Sequence, residues 1–204
     1  MKLYDFKMAP NPRRVRMFLA EKGISDLEVI NVDIGKGETF KKEFREINPY
    51  GGLPVLELDS GERISESMAI CRYFEETHPE HPLMGADPES KARIEMWNRR
   101  LELHLYSAIA GCFQNSNPMW APVVEQVAEY ADACLNKVDK HFHKLDKRLA
   151  ESTYVAGEEF SVADITAVCC VDFAKVIQRR LDEEKHPNIA RWYKLVNERP
   201  SAQA

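Results

Sequence analysis

The segment His78-Pro79-Glu80-His81-Pro82 constrains this chain more than any other. Each proline fixes φ, removes a backbone N–H and pushes the residue before it out of helical space. No helix or interior strand can run through it. The two sides of this break also differ in periodicity. Upstream, residues 2–5 alternate apolar and polar. Residues 13–22 carry Val15, Phe18 and Leu19 at helical spacing and stop at Gly23. Residues 27–34 alternate and are rich in β-branched side chains, which predicts a strand. Residues 40–47 read as a short helix. Residues 53–58 read as a strand, the turn Asp59-Ser60-Gly61-Glu62 follows, and residues 63–65 form the returning strand of a hairpin. Residues 67–76 form a helix with Met68, Ile70, Cys71 and Phe74 on its apolar side.

Downstream of the prolines every segment reads as helix. Asp87 is an N-cap with Pro88 at the first helical position, where a missing N–H costs nothing. That helix is expected to reach about Phe113. Pro118 and Pro122 bracket a loop holding Met119 and Trp120. A second long helix is expected over 123–149, a third from Ser161 and a fourth from about Pro187. Ser161-Val162-Ala163-Asp164 has the spacing of a capping box, so it is assigned a structural role. The β-α-β-α-β-β-α order upstream, with a parallel crossover first and a hairpin last, fits a thioredoxin-like α/β domain. The expected division is residues 1–80 for that domain and 87–204 for an all-α helical domain.

The chain has 204 residues, enough for two small domains with their own cores. A net charge of −5 argues against a nucleic-acid partner, because phosphate binding needs a basic surface. No apolar run approaches the roughly 18 residues of a membrane span, and the first residues read as a strand rather than a signal peptide. The five cysteines, Cys71, Cys112, Cys134, Cys169 and Cys170, are odd in number and none are spaced as Cys-x-x-Cys. That pattern suits neither a disulfide framework nor a metal site, and it is expected of buried thiols in a reducing cytoplasm.

Three segments carry candidate chemistry. Met8-Ala9-Pro10-Asn11-Pro12 joins the first strand to the first helix, whose N-terminus favours an anion. The loop itself contains no cysteine, so any anion there comes from a ligand. In Asn48-Pro49-Tyr50-Gly51-Gly52-Leu53-Pro54-Val55-Leu56 a proline stands at the head of a strand. A cis Leu53-Pro54 bond is expected, leaving the N–H and C=O of Leu53 to pair with an extended peptide. Glu66 and Ser67 begin a helix: Ser67 suits a carboxylate and Glu66 an ammonium. Together the three describe a peptide with an amino-acid head group and an acidic or nucleophilic group.

The order of these motifs resembles the cytosolic glutathione transferase family. The resemblance rests on Pro10-x-x-x-Arg14-Val15, Asn48-Pro49-x-Gly51-x-Leu53-Pro54-Val55-Leu56, Glu66-Ser67, the proline-bearing linker and Phe160-Ser161-x-Ala163-Asp164-Ile165-Thr166. Lys36-Gly37-Glu38 and Asn98-Arg99-Arg100-Leu101-Glu102 are most similar to bacterial and fungal enzymes that lack the standard catalytic Tyr, Ser or Cys. The resemblance implies glutathione as co-substrate, with Leu53 against its cysteinyl unit and Glu66 and Ser67 on its γ-glutamyl head. Gly52 stands where many relatives carry lysine, so Lys41, Lys42 and Thr39 are the candidates for the glycyl carboxylate. Ala9 occupies the position of the family's catalytic serine, which leaves Asn11 as the catalytic candidate, its amide donating to the sulfur. Arg13 or Arg14 can add positive charge, and Gln114, Asn115 and Ser116 can hold a water. Tyr106, Phe113, Gln114, Met119 and Trp120 are expected at the second-substrate pocket of the helical domain.

The resemblance further implies a cytoplasmic homodimer through the helix from Pro88, a small hydrophobic electrophile as second substrate, and a detoxification role. Tyr4 is read as structural. Three functions remain open on sequence: a transferase, a glutathione-dependent disulfide reductase or peroxidase, and a non-catalytic binding protein on the same fold.

Overall fold

The computed structural model describes residues 1–204. It divides into two compact units, Met1–Leu83 together with Pro200–Ala204, and Met84–Arg199. No helix is long and apolar enough to cross a membrane.

The first unit contains β1 (Lys2–Asp5), α1 (Pro10–Glu21), β2 (Glu28–Asn31), α2 (Lys42–Ile47), β3 (Val55–Glu57), β4 (Arg63–Ser65) and α3 (Ser67–Thr77). Its sheet order is β2-β1-β3-β4, with β1 parallel to β2 and the other two pairings antiparallel. This is the thioredoxin-like arrangement read from the sequence. Val55 stands opposite Tyr4 on one side and Ser65 on the other. The end of β1, the start of β3 and the end of β4 therefore share one edge of the sheet. Tyr4, Val32, Phe44 and Val55 make a core cluster under this edge. Helices α1 and α3 pack on each other through Val15, Phe18, Ile70 and Phe74, all fully buried.

The differences from expectation have local causes. Helix α1 starts at Pro10 rather than Arg13, because Pro10 sits at the position where its missing N–H is harmless. Strand β2 is shorter than expected and lies at the sheet edge, where its side chains are mostly exposed. The proline segment is tied down from α1: the shielded Lys22 ammonium pairs with Glu75 at 2.6 Å and donates to the carbonyls of His78 and Glu80. Residues 200–204, read with the helical half, group with the first unit. There the Arg13 guanidinium donates to the Ala202 carbonyl, and the Ser201 hydroxyl donates to Glu21.

The second unit is all helical: α4 (Pro88–Arg100), α5 (Ser107–Ser116), α6 (Ala128–Ala150), α7 (Val162–Phe173) and α8 (Pro187–Asn197). A π-helical segment, Leu101–Tyr106, interrupts the single helix expected from Pro88. Helix α6 begins later than expected because side chains hold the preceding loop. Gln126 donates to the carbonyls of Gln114 and Asn117, and Asn115 accepts from Val127 N–H. Asp87 caps α4 in a capping box with Ser90.

Asp164, wholly buried, organises the centre of this unit. One carboxylate oxygen accepts from Val155 N–H and Trp192 Nε1, and the other from Ser161 N–H and the Ser161 hydroxyl. Burial pushes its pKa up to about 6, and these donors oppose the rise. Replacing Asp164 with Ala strands Val155 N–H, Ser161 N–H and Trp192 Nε1 in the interior, at about 1–3 kcal/mol each. We expect the variant to melt at least roughly 6 °C lower in a calorimetric scan. An unchanged melting temperature contradicts this role.

Candidate functional site

The edge shared by β1, β3 and β4 brings the three sequence-predicted segments to one end of the sheet: the loop into α1 follows β1, Leu53 and Pro54 precede β3, and Glu66 and Ser67 follow β4.

The first turn of α1 is chemically sparse. Pro10 and Pro12 have no N–H, and Arg13 N–H donates to the Ala9 carbonyl at 3.2 Å. Ala9, at the N-cap, offers no side-chain acceptor. The backbone N–H of Asn11 is thus the one open main-chain donor of this turn. It lies at the positive end of a 12-residue helix, and the Asn11 side chain is half-buried. The neighbouring cations are turned elsewhere: Arg16 grips Asp5 at 2.6 and 2.8 Å, and Arg13 reaches the Ala202 carbonyl. Tyr4 is buried, with its hydroxyl on Glu57 at 3.3 Å, and burial holds its pKa above the ordinary value. It therefore serves the sheet, as expected.

The Leu53–Pro54 bond is cis. Leu53 lies just outside the β3 ladder, which starts at Val55, so its N–H and C=O face no neighbouring strand. The preceding loop is built by buried Asn48, which donates to the Gly52 carbonyl at 2.9 Å and accepts from Tyr50 N–H at 3.2 Å. Gly51 has φ of +69°, a left-handed conformation that strains other residues, and a Cβ there would also require the Arg45 guanidinium to shift.

Glu66 is exposed and carries φ 69° and ψ 115°, outside the regions open to ordinary residues. Such strain costs about 1–3 kcal/mol and is concentrated at functional sites. It sits at the N-cap of α3 without a side-chain cap, so the first N–H groups of that helix stay open. Ser67 is buried and accepts from Arg14 Nη1 at 3.1 Å. Lys41, 59% exposed, stands at the N-cap of α2 and pairs loosely with Glu38 at 3.8 Å. Lys42 pairs with Glu46, and Thr39 is buried.

Two family models cover most of the chain: "Glutathione S-transferase, N-terminal domain" matches residues 9–77 and "Glutathione S-transferase, C-terminal domain" matches residues 97–200. The chain is 37% identical to glutathione S-transferase 2 of Saccharomyces cerevisiae, over 98% of its own length and 87% of that relative's. The chain belongs to the glutathione S-transferase family. A crystal structure of Gtt2 from Saccharomyces cerevisiae superposes with a TM-score of 0.92 at 37% identity, covering 100% of this chain and 99% of that one. A glutathione S-transferase from Methylobacillus flagellatus, solved with glutathione bound, superposes with a TM-score of 0.84 at 27% identity, covering 99% and 96%.

The residues expected at a second-substrate pocket lie in the helical unit. Tyr106 stacks on Phe173 at 5.4 Å, Phe113 meets Phe173 edge-on at 5.8 Å, and Trp120 meets Phe113 edge-on at 6.1 Å. Phe173 was missed because it closes α7, far from the others in sequence, and helical spacing alone marks it as core. Met119 is exposed in the loop, and Gln114 is half-buried. Asn115 and Ser116 are committed: Asn115 to Gly111 and Val127, and the Ser116 hydroxyl to the Cys112 carbonyl. Arg14 is the largest departure, since its side chain is on Ser67 rather than free to add charge at the thiol. No cluster of His, Cys, Asp or Glu has the grouping of a metal site.

Removing the Asn48 side chain deletes both bonds that shape the 48–54 loop, at about 1 kcal/mol each. Asn48→Ala is expected to raise KM for glutathione several-fold while leaving the helical unit's fold signature intact. An unaltered KM contradicts a loop-shaping role.

Proposed function

We propose that this chain is a glutathione transferase in which the thiolate is stabilised by Asn11 and the first turn of α1 rather than by a protein hydroxyl. The supporting observation is the shared sheet edge, which collects the Asn11 turn, Leu53–Pro54 and Glu66–Ser67 at one end of one sheet. In this reading Glu66 takes the γ-glutamyl ammonium. Ser67 N–H and hydroxyl take its carboxylate at the positive end of α3. The cysteinyl backbone pairs with Leu53 as an added antiparallel strand. Lys41 is the nearest-suited cation for the glycyl carboxylate, since its contact with Glu38 is long and exposed.

The sulfur then lies against Asn11. A free thiol has a pKa of about 8.5, so only ~3% is ionised at pH 7. Lowering that by ~1.5–2 units takes roughly 2–3 kcal/mol. The helix end contributes about 0.3–1, up to ~2 when partly buried. One hydrogen bond to a charged acceptor contributes ~1.5–3. The Asn11 N–H and side-chain amide together suffice without a base. The thiolate attacks an electrophilic carbon, a carbon–sulfur bond forms, and the leaving group departs with its electron pair or, in an addition, the new carbanion takes a proton.

A small hydrophobic electrophile suits the aromatic row Tyr106, Phe173, Phe113 and Trp120, with Met119 and Gln114 beside it. Exposed Met96 on α4 and Leu103 in the π segment, about two turns apart, support a homodimer through this helical run. The disulfide reductase and non-catalytic readings are not favoured by the named relatives.

Conjugation to a chromogenic aryl halide, run beside glutathione–disulfide exchange, tests the reading; exchange without conjugation contradicts it. Asn11→Ala is expected to lower turnover about tenfold at pH 6.5 and much less at pH 9, where the thiol ionises unaided. Equal losses at both values remove Asn11 from thiolate stabilisation.

A further inference from the structure

Arg14 is a buried guanidinium on α1, and its hydrogen-bond partner, Ser67, is the first residue of α3. Only 1% of it is exposed. A charge so placed is costly unless its donors are used. One donor is spent on Ser67: Nη1 donates to its hydroxyl oxygen at 3.1 Å. This bond has a direction. With its oxygen engaged as acceptor by a cation that cannot accept in return, the hydroxyl must send its own proton away from Arg14. Ser67 is the first residue of α3, so that proton joins the open N–H groups at the start of the helix.

We infer that Arg14 is a positioning residue for glutathione: it holds the Ser67 hydroxyl as a donor toward the γ-glutamyl head, at that head's free α-carboxylate. This rests on the reading of Glu66 and Ser67 as the γ-glutamyl site. Arg14 touches no reacting atom. It fixes the rotor of Ser67 and brings a fixed positive charge behind a hydroxyl that meets an anion. A lysine cannot replace it fully, because an ammonium is a compact, strongly hydrated point charge without the planar fork.

The test measures glutathione affinity by calorimetry and steady-state kinetics for the wild type, Arg14→Met, Arg14→Lys, Ser67→Ala and the Arg14→Met/Ser67→Ala double variant. A second ligand is the glutathione analogue whose glutamyl residue lacks its α-carboxylate. Arg14→Met is expected to weaken glutathione about 10- to 100-fold, the range of one hydrogen bond to a charged group. KM for glutathione rises, while kcat at saturating glutathione and KM for the electrophile hold. Arg14→Lys falls between. The analogue binds the wild type weakly, and neither Arg14→Met nor Ser67→Ala weakens it further. The double variant loses no more than the larger single loss.

Equal weakening of glutathione and analogue overturns the inference, as does full additivity of the two substitutions. If Arg14→Met does not fold, Arg14→Lys and Ser67→Ala still decide: loss of both ligands alike in either variant overturns it. If the wild type itself fails to bind glutathione, the site reading falls first, which separates that failure from this one.

Discussion

The pairing of Tyr4 with Val55 and of Val55 with Ser65 is the constraint on which the site depends. Antiparallel pairing of β3 with both β1 and β4 means one strand begins where the other two end. The chain can therefore place the N-terminus of α1, the backbone before Pro54 and the N-terminus of α3 together without any of them touching in sequence. None of these segments supplies an unusual side chain. They supply main-chain donors and acceptors left over by the fold: one N–H at Asn11, the two polar groups of Leu53, and the first N–H groups of α3. In the proposed reading, a peptide ligand with two carboxylates, an ammonium and a thiol uses this set together with the Glu66 carboxylate and the Ser67 hydroxyl. The strained backbone of Glu66 and the left-handed backbone of Gly51 lie beside this end of the sheet.

The prolines that flank Asn11 sharpen this. A helix N-terminus ordinarily offers several N–H groups to an anion. Here two are deleted by Pro10 and Pro12 and another is spent on Ala9. What remains is one donor, the Asn11 N–H, on a stiff turn.

Much of this was legible in the sequence. The N-cap at Asp87, the capping box at Ser161, the proline linker and the hairpin at Gly61 are fixed by local chemistry, so reading them needed no tertiary information, and the cis Leu53–Pro54 bond was legible from a proline at the head of a strand. What was missed depends on distant partners. The bond from Arg14 to Ser67 spans two helices, and nothing near Arg14 announces it. Phe173 joins the aromatic row only because α7 packs beside the helix from Pro88. The π segment at Leu101–Tyr106 and the late start of α6 likewise arise from packing and from the Gln126 and Asn115 side chains, which compete with helix propensity over residues 123–127.

The central claim is that the nucleophilic sulfur belongs to glutathione and is ionised by this edge of the sheet. The most direct measurement is a pH titration of the thiolate ultraviolet absorbance of glutathione bound to the protein. The account predicts a bound-state pKa about 1.5–2 units below the free thiol's ~8.5. A bound thiol that titrates at the free value contradicts it.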